Sequence, residues 1–282
     1  MTTSAFLQRI GIHRHDGPSV EALFALHAAF AESVAYETVQ YQLGKGGPLD
    51  PAAAAERIIN REAGGYCFQM NGSFALLLTE LGYQVTMHRG GAQTSTRPAL
   101  VDASHLVLTV AGLPDAPGQE WIVDVGMGDG LLVPLPLKDG TYRQDPYDLV
   151  LRSSDVVDGW RVDHDPRAGM IGMDFESAPA TIDAFADQHA HLSTSPDSPF
   201  VRVSTALRRT PNSVVALRSV VLAEVFADRI DTTVLESPAD FYTALDDTFQ
   251  LPLNHLTADD RDHLWKRVLT QYEDFLARQS AG

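Results

Sequence analysis

The chain has one cysteine, Cys67, in 282 residues. It can form no internal disulfide, and it cannot build a thiolate-rich zinc or iron–sulfur site. Positive charge is also scarce. Against 37 Asp and Glu stand only 21 Lys and Arg, a formal net charge of -16. Phosphate backbones and anionic membranes attract net-positive surfaces, so neither nucleic acid nor membrane is an expected partner. A small anionic ligand needs only a local patch or a helix N-terminus, and is not excluded. Long apolar runs are missing too. The stretch from Val214 to Ala227 is broken by Arg218 and Glu224, so it is no membrane span. The first residues, M-T-T-S-A-F-L-Q-R-I-G, lack the basic start and apolar run of a signal peptide. A cytoplasmic location with a reduced thiol is the simplest expectation.

What is present begins with 44% hydrophobic residues, enough for a large core. The first eighty residues read as helical. Val20, Leu23, Phe24, His27 and Phe30 share one face of a helix that Ser19 can cap. A second helix follows Asp50, with Pro51 at its first position. A third starts near Cys67 and ends at Gly82, with Phe68, Phe74, Leu77, Leu78 and Leu81 at helical spacings. From Tyr83 the pattern changes. Y-Q-V-T-M-H-R, H-L-V-L-T-V, E-W-I-V-D-V and Y-D-L-V-L-R read as strands, and V-V-D-G-W-R-V-D as a further hairpin. A short helix is expected around Thr181 to Ala190. Strands are then expected at Phe200 to Leu207, Ser213 to Leu217 and Val220 to Glu224, before a last helix from about Asp259 to Arg278. Helices, then strands, then a mixed tail predict an α+β arrangement rather than a Rossmann-like alternation.

Cys67 lies in A-G-G-Y-C-F-Q-M-N-G, residues Ala63 to Gly72. A lone cysteine is commonly a small buried hydrophobe. Here two glycines allow a sharp turn and a close approach. The thiol then falls in the first turn of a helix, where free N–H groups and the helix dipole favour a thiolate. A nucleophilic thiolate needs a histidine, and the histidine needs an orienting acid.

Ten histidines are available. The strands H-L-V-L-T-V and E-W-I-V-D-V flank A-G-L-P-D-A-P-G-Q, their connecting turn. With the turn centred near Pro114 or Asp115, His105 lies opposite Asp124 or Val125. Opposite Asp124, the two side chains share a face; one residue of slip would break the pairing. A solvent-exposed pair without chemistry is the competing reading. His189 and His191, and likewise His13 and His15, have H-x-H spacing, but no third ligand is evident and no metal is expected. G-M-G-D-G, Gly126 to Gly130, is not a dinucleotide fingerprint, yet as a tight loop after Asp124 it could approach a ligand.

These segments together resemble the arylamine N-acetyltransferases. F-L-Q-R-I-G is similar to the family's Y-L-x-R-I-G, and A-Y-E-T-V-Q-Y-Q-L-G to P-F-E-N-L-x-x-x-L-G. A-G-G-Y-C-F-Q-M-N-G resembles R-G-G-Y-C-F-E-x-N-G, V-D-V-G-M-G resembles V-D-V-G-F-G, and S-T-S-P-D-S-P-F resembles S-T-x-P-x-S-P-F. The histidine of the family's H-x-x-L strand matches His105. The resemblance implies a helical bundle (1–83) carrying the cysteine, a β-barrel (84–200) carrying the histidine and aspartate, and an α/β lid (201–282). It implies a Cys67–His105–Asp124 triad and ping-pong transfer of an acyl group from a coenzyme A thioester to an amine. It places Tyr36, Phe68, Met127 and Phe200 at the acceptor pocket, and Gly126, Gly128 and Gly130 along the coenzyme cleft. No permanently bound cofactor is implied.

The departures concern the substrate more than the triad. Ala63 replaces the family's arginine and Gln69 its glutamate, as if a supporting ion pair had been lost together. Ala35 and Thr38 replace a proline and an asparagine, and Met127 a phenylalanine. One branch of the family, the amide synthases of antibiotic assembly, moves long acyl chains from an acyl carrier protein to an amine. That branch is the alternative reading, with a thiol hydrolase as a further one.

Overall fold

The structure, a computed structural model, describes residues 2–280. Its first part is helical. Helix α1 (Thr3–Arg9) starts where Thr2 Oγ1 accepts the Ala5 N–H at 3.3 Å. Helix α2 (Val20–Ser33) starts where Ser19 Oγ accepts that of Ala22 at 3.1 Å. These side chains satisfy N–H groups that have no acceptor within the helix. A two-residue strand, β1 (Tyr36–Glu37), and a 3-10 turn, Val39–Leu43, follow. The helical periodicity of the first eighty residues gives no sign of β1. Helix α3 (Pro51–Arg61) is capped by Asp50, whose Oδ1 accepts from Ala52 N at 2.8 Å. Helix α4 (Cys67–Glu80) begins and ends as expected, with Gly82 at φ +91° beyond its C-terminus.

The helices bury one aromatic seam. Phe30 lies 5.0 Å from Phe74 and 5.9 Å from Phe6, ring centre to ring centre. Leu106, Leu108 and Val110 of the following sheet pack into the same cluster.

That sheet is an eight-stranded antiparallel barrel. Its strands are β2 (Gln84–Gln93), β3 (His105–Ala111), β4 (Trp121–Val123), β5 (Leu135–Pro136), β6 (Gly140–Gln144), β7 (Tyr147–Ser153), β8 (Gly159–Asp163) and β9 (Gly172–Ala180). They run in the order β5-β4-β3-β2-β9-β8-β7-β6. The two edges do not share a ladder. Gln144 of β6 joins them instead: its Oε1 accepts from Leu132 N at 2.7 Å and Val133 N at 3.1 Å, and its Nε2 donates to Val133 O at 2.9 Å. Alternation sorts the faces. In β3, Leu106, Leu108 and Val110 meet the helices while Val107 joins Ile122, Leu149, Leu151 and Phe175 inside the barrel. Strand β9 pairs with both β2 and β8, yet its sequence, G-M-D-F-E-S-A-P-A, has Gly and Pro where β-formers are expected.

A 3-10 turn, Ile182–Phe185, leads into α5 (Ala186–Thr194). The segment expected to be extended from Phe200 instead opens with a helical turn, α6 (Pro199–Arg202), because Ser198 Oγ caps Phe200 N at 3.1 Å and Pro199 suits the first helical position. Strands β10 (Thr205–Arg209), β11 (Val214–Arg218), β12 (Val221–Val225) and β13 (Ile230–Val234) form a second sheet, in the order β1-β10-β11-β12-β13. Helix α7 (Pro238–Thr243), a π-helical turn Ala244–Thr248 and helix α8 (Ala258–Ser280) cover it through Phe241, Leu245, Phe249, Leu264 and Val268. The fold is α+β: a helical bundle, a barrel and a C-terminal α/β lid. No helix among the described residues is long and apolar enough to cross a membrane.

Candidate active site

The bundle, the barrel and the lid meet around Cys67. Strand β1 sets the place. Tyr36 bridges Gly65 on one side and pairs with Leu207 of β10 on the other, and Glu37 N donates to Gly65 O at 2.8 Å. A Cβ on Gly64 would collide with the carbonyl of Ala35, so only glycine lets the turn before α4 come this close. At the start of α4 the Gln69 side chain turns back. Its Oε1 accepts the Tyr66 N–H at 3.3 Å and its Nε2 donates to Tyr41 Oη at 2.9 Å.

Cys67 is 3% exposed, His105 4% and Asp124 1%, so the reading as a solvent-exposed pair fails. His105 Nε2 and Asp124 Oδ2 are 2.7 Å apart, which leaves Nδ1 for the thiol side. The Cys67 Sγ is 3.7 Å from the Ser104 carbonyl oxygen, beside His105. The cross-strand register expected from the sequence is corrected. Leu108 faces Val123 and Val110 faces Trp121, an offset of two residues from the register that sets His105 opposite Asp124. The turn tip is where it was expected, with Leu113 bridging Ala116, and the extra residues fall between Ala116 and Trp121. A two-residue offset preserves the face of every side chain. Strand β4 also stops at Val123, which frees Asp124 to reach the histidine diagonally.

Asn71 and His27, which sequence reasoning left out, hold Asp124 together with Gly126. Asn71, one helical turn after Cys67, donates through Nδ2 to Asp124 Oδ1 at 2.8 Å and to Leu106 O at 2.6 Å. The i, i+4 spacing from Cys67 was the available signal. Gly126 N also donates to Asp124 Oδ1, at 2.9 Å. Behind them, His27 Nε2 accepts the Asp124 N–H at 3.2 Å, while its Nδ1 lies 2.9 Å from Leu132 O. In the sequence His27 reads only as one more position on the buried stripe of α2.

The two imidazoles are driven in opposite directions. Burial pushes the His27 pKa down to about 4, against weaker upward pulls from Leu132 O and Asp124. It is a neutral ring, and as such it can accept from Asp124 N. For His105, burial is the largest single influence and also acts downward. Asp124 and then Cys67 outweigh it, through charge and hydrogen bonding, and hold the pKa up to about 10. The net effect favours the charged form of the His105 ring.

A cleft of about 380 Å³ opens over the thiol. Cys67, His105, Tyr36, Gly126, Met127 and Phe200 line it together. Phe68 does not. Its ring points into the core, 5.3 Å from Tyr66 and 5.1 Å from Phe185, because the residue after Cys67 is rotated to the inner side of α4. Gly128 and Gly130 also lie off the cleft: Gly128 packs under Tyr36 and Leu207, and Gly130 under Met127. Gly126 sits on the thiol helix, where an added Cβ would be 2.8 Å from Cys67 Cα and 2.7 Å from Asn71 Nδ2. The loop brings Asp129 to the cleft wall, and Arg97 and Arg218 add cations to the lining. His189 Nδ1 is 2.6 Å from Tyr66 Oη, and no group of three His, Cys, Asp or Glu among the described residues could hold a metal.

Residues 19–258 match the model of a family described as N-acetyltransferase. The chain belongs to this family. Among its relatives is the arylamine N-acetyltransferase / N-hydroxyarylamine O-acetyltransferase of Salmonella typhimurium, 32% identical over 144 residues, 51% of this chain and 50% of the relative. Another is the arylamine N-acetyltransferase of Mycolicibacterium smegmatis, 33% identical over 165 residues, 55% and 58% of the two chains. The aligned stretches thus span little more than half of these two relatives. The backbone likeness is longer. The arylamine N-acetyltransferase of Mycobacterium marinum, solved in complex with CoA, superimposes with a TM-score of 0.84 over 95% of this chain and 98% of that one, at 24% identity. The N-acetyltransferase fold therefore extends over nearly the whole chain. The ion pair read as lost at Ala63 and Gln69 has a different account here. Ala63 belongs to the apolar cluster of Ala35, Val39 and Val215, Gln69 caps α4, and the Glu37 carboxylate is held by Arg57 and Gln40.

Proposed function

We propose that this N-acetyltransferase moves an acyl group from a coenzyme A thioester, acetyl-CoA or similar, through a Cys67 thioester to an amine. The observation that carries the reading is the burial of Cys67 and His105 on one cleft, with His105 held by Asp124 at 2.7 Å. The family membership and the relatives' names support acyl transfer to an amine.

The chemistry follows from the charges. The Cys67 thiolate attacks the thioester carbonyl, and the tetrahedral oxyanion is met by N–H groups of the first turn of α4, which have no acceptor inside the helix. Collapse breaks the carbon–sulfur bond to the coenzyme, and its thiolate takes the proton from His105. Acylation removes the negative charge at Cys67, one of the groups that holds the His105 pKa up, so the ring is now a better base. The neutral imidazole accepts a proton from the attacking amine, the amide forms, and Cys67 leaves as thiolate beside a regenerated imidazolium. Asp124 fixes the ring orientation throughout. Arg218 adds a cation to the cleft while Arg97 is paired with Asp102, and Tyr36, Met127 and Phe200 form its apolar side.

Intact mass spectrometry after incubation with acetyl-CoA tests this. One added acetyl group is expected, absent in Cys67→Ala, and discharged by an arylamine. No acylation by acetyl-CoA but acylation by a loaded carrier protein would turn the reading toward an amide synthase. Cleavage of amides or esters without any acyl transfer would turn it toward a hydrolase.

A further inference from the structure

A second cavity, of about 610 Å³, lies between residues 45–48 and helix α3. Three cationic side chains, Lys45, Arg57 and Arg61, line it, in a chain whose net charge is -16. Arg57 is the one that stands out. Its side chain is only 8% exposed. Glu37 holds its Nη2, but Nε and Nη1 are buried and have no hydrogen-bond partner among the described residues. A buried charged donor left unsatisfied is costly, and it seeks an acceptor. Nη1 lies against Gly47, a residue of the cavity wall, where an added Cβ would stand 3.1 Å from it. The absence of a side chain at 47 keeps that approach clear.

The acidic groups nearby have partners of their own, and one of them, Glu56, also lines the cavity. Glu37 takes Arg57 Nη2 and two donors of Gln40, Asp260 pairs with Lys45 at 2.6 Å, and Glu56 accepts from Asn60 Nδ2 at 2.8 Å. The cationic character reaches past the wall. The pKa of His255 is lowered by its burial and further by Arg61, Arg57 and Lys45, against an upward pull from Glu37. Pro48, Ala53 and Ala54 supply an apolar flank next to the cations.

We propose that this cavity is a binding site for a small oxyanion, a carboxylate or a phosphate, seated on Arg57 Nη1 with Lys45 and Arg61 at the rim. Guanidinium and ammonium donors bind such oxygens by charge-assisted hydrogen bonds. The site is separate from the Cys67 cleft and does not depend on the acyl-transfer reading.

The experiment is calorimetric titration of the full chain with inorganic phosphate and, separately, with acetate and benzoate, at constant ionic strength set with chloride. Saturable binding of at least one class is expected. A double variant, Lys45→Gln with Arg61→Gln, both exposed in the native chain, should weaken it about tenfold or more. Arg218→Gln, in the other cleft, should leave it unchanged. Saturation by phosphate alone assigns a phosphate ligand, and saturation by benzoate or acetate assigns a carboxylate. Binding no stronger than chloride for both classes, undiminished affinity in the double variant, or loss in Arg218→Gln would overturn the proposal.

Discussion

Asn71 and Asp124 are joined side chain to side chain, with Nδ2 donating to Oδ1 at 2.8 Å, and Asn71 Oδ1 accepts the next backbone N–H, that of Val125, at 2.9 Å. The helix that presents the thiol thus also grips the acid. Asn71→Ala would leave Val125 N without its acceptor in the interior and the Asp124 carboxylate with one donor fewer, Gly126 N remaining on Oδ1. We expect a loss of about 1–3 kcal/mol in stability and a fall of about 100-fold in acyl transfer, since the His105 ring would lose its fixed support. Asn71→Asp should be worse than Ala, because it sets two carboxylates together. Urea unfolding and single-turnover acylation measure the two effects; unchanged acylation in Asn71→Ala would remove Asn71 from the site.

The two histidines predict a stability optimum between their folded pKa values. His105 is raised from its ordinary value of 6.5 to about 10, so its contribution is complete below 6.5 and is lost as pH rises toward and through 10. His27 is lowered from 6.5 to about 4, so its contribution is complete above 6.5 and is lost as pH falls through 4. His27→Gln should flatten the acid side of a stability–pH curve and His105→Gln the alkaline side. A swap of those two effects would show that the charges are misassigned.

Alkylation gives a second view of the same pair. Iodoacetamide should modify Cys67 readily at neutral pH in the native chain. In His105→Ala the rate should fall by an order of magnitude or more, and circular dichroism would confirm that the fold persists. Equal rates would argue that the cation beside the thiol has no influence on it.

Gly126→Ala should act on both partners of the site at once. The new methyl would press on Cys67 Cα and Asn71 Nδ2, and neither the helix backbone nor a side chain held by three hydrogen bonds can give way cheaply. We expect a cost of about 1–3 kcal/mol with strongly reduced acylation. Gly118→Ala, at a glycine with nothing within 4 Å of an added Cβ, is the matched control.

Restoring the family's arginine at Ala63 should harm rather than help. Ala63 is 1% exposed among apolar side chains, and Glu37 is already satisfied. Ala63→Arg is expected to lower the melting temperature by several degrees, as burial of an unpaired charge would. A raised melting temperature would mean that the vacant charge position is real.

Much of the site was legible because it is built from local signals. Gly64, Gly65 and Cys67 announce a tight turn into a helix, and the strand pattern leads His105 and Asp124 to one side, Asp124 from just beyond the end of β4. The register was not legible, since residues inserted between Ala116 and Trp121 leave no mark on the hydrophobic pattern. Face survived the error because the offset was even. Phe68, Gly128 and Gly130 were placed by motif neighbourhood, which says neither which way the Phe68 ring turns nor how the backbone of the loop runs. Asn71, His27 and Arg57 escaped for a related reason: their roles come from partners 53, 97 and 20 positions away. Strands β1 and β9 are set by pairing and not by propensity, so neither could be seen before its partners were in place.

The pairing of β1 with β10 has a consequence for the order of synthesis. Tyr36 and Glu37 leave the ribosome early, but Leu207 and Ala206, their ladder partners, are more than one hundred and sixty residues behind. Until those arrive, one wall of the cleft has no backbone to pair with, even though Cys67, His105 and Asp124 are already made. The thiol is therefore made well before the strand that completes its enclosure, and that enclosure closes only by a pairing between segments far apart in the chain.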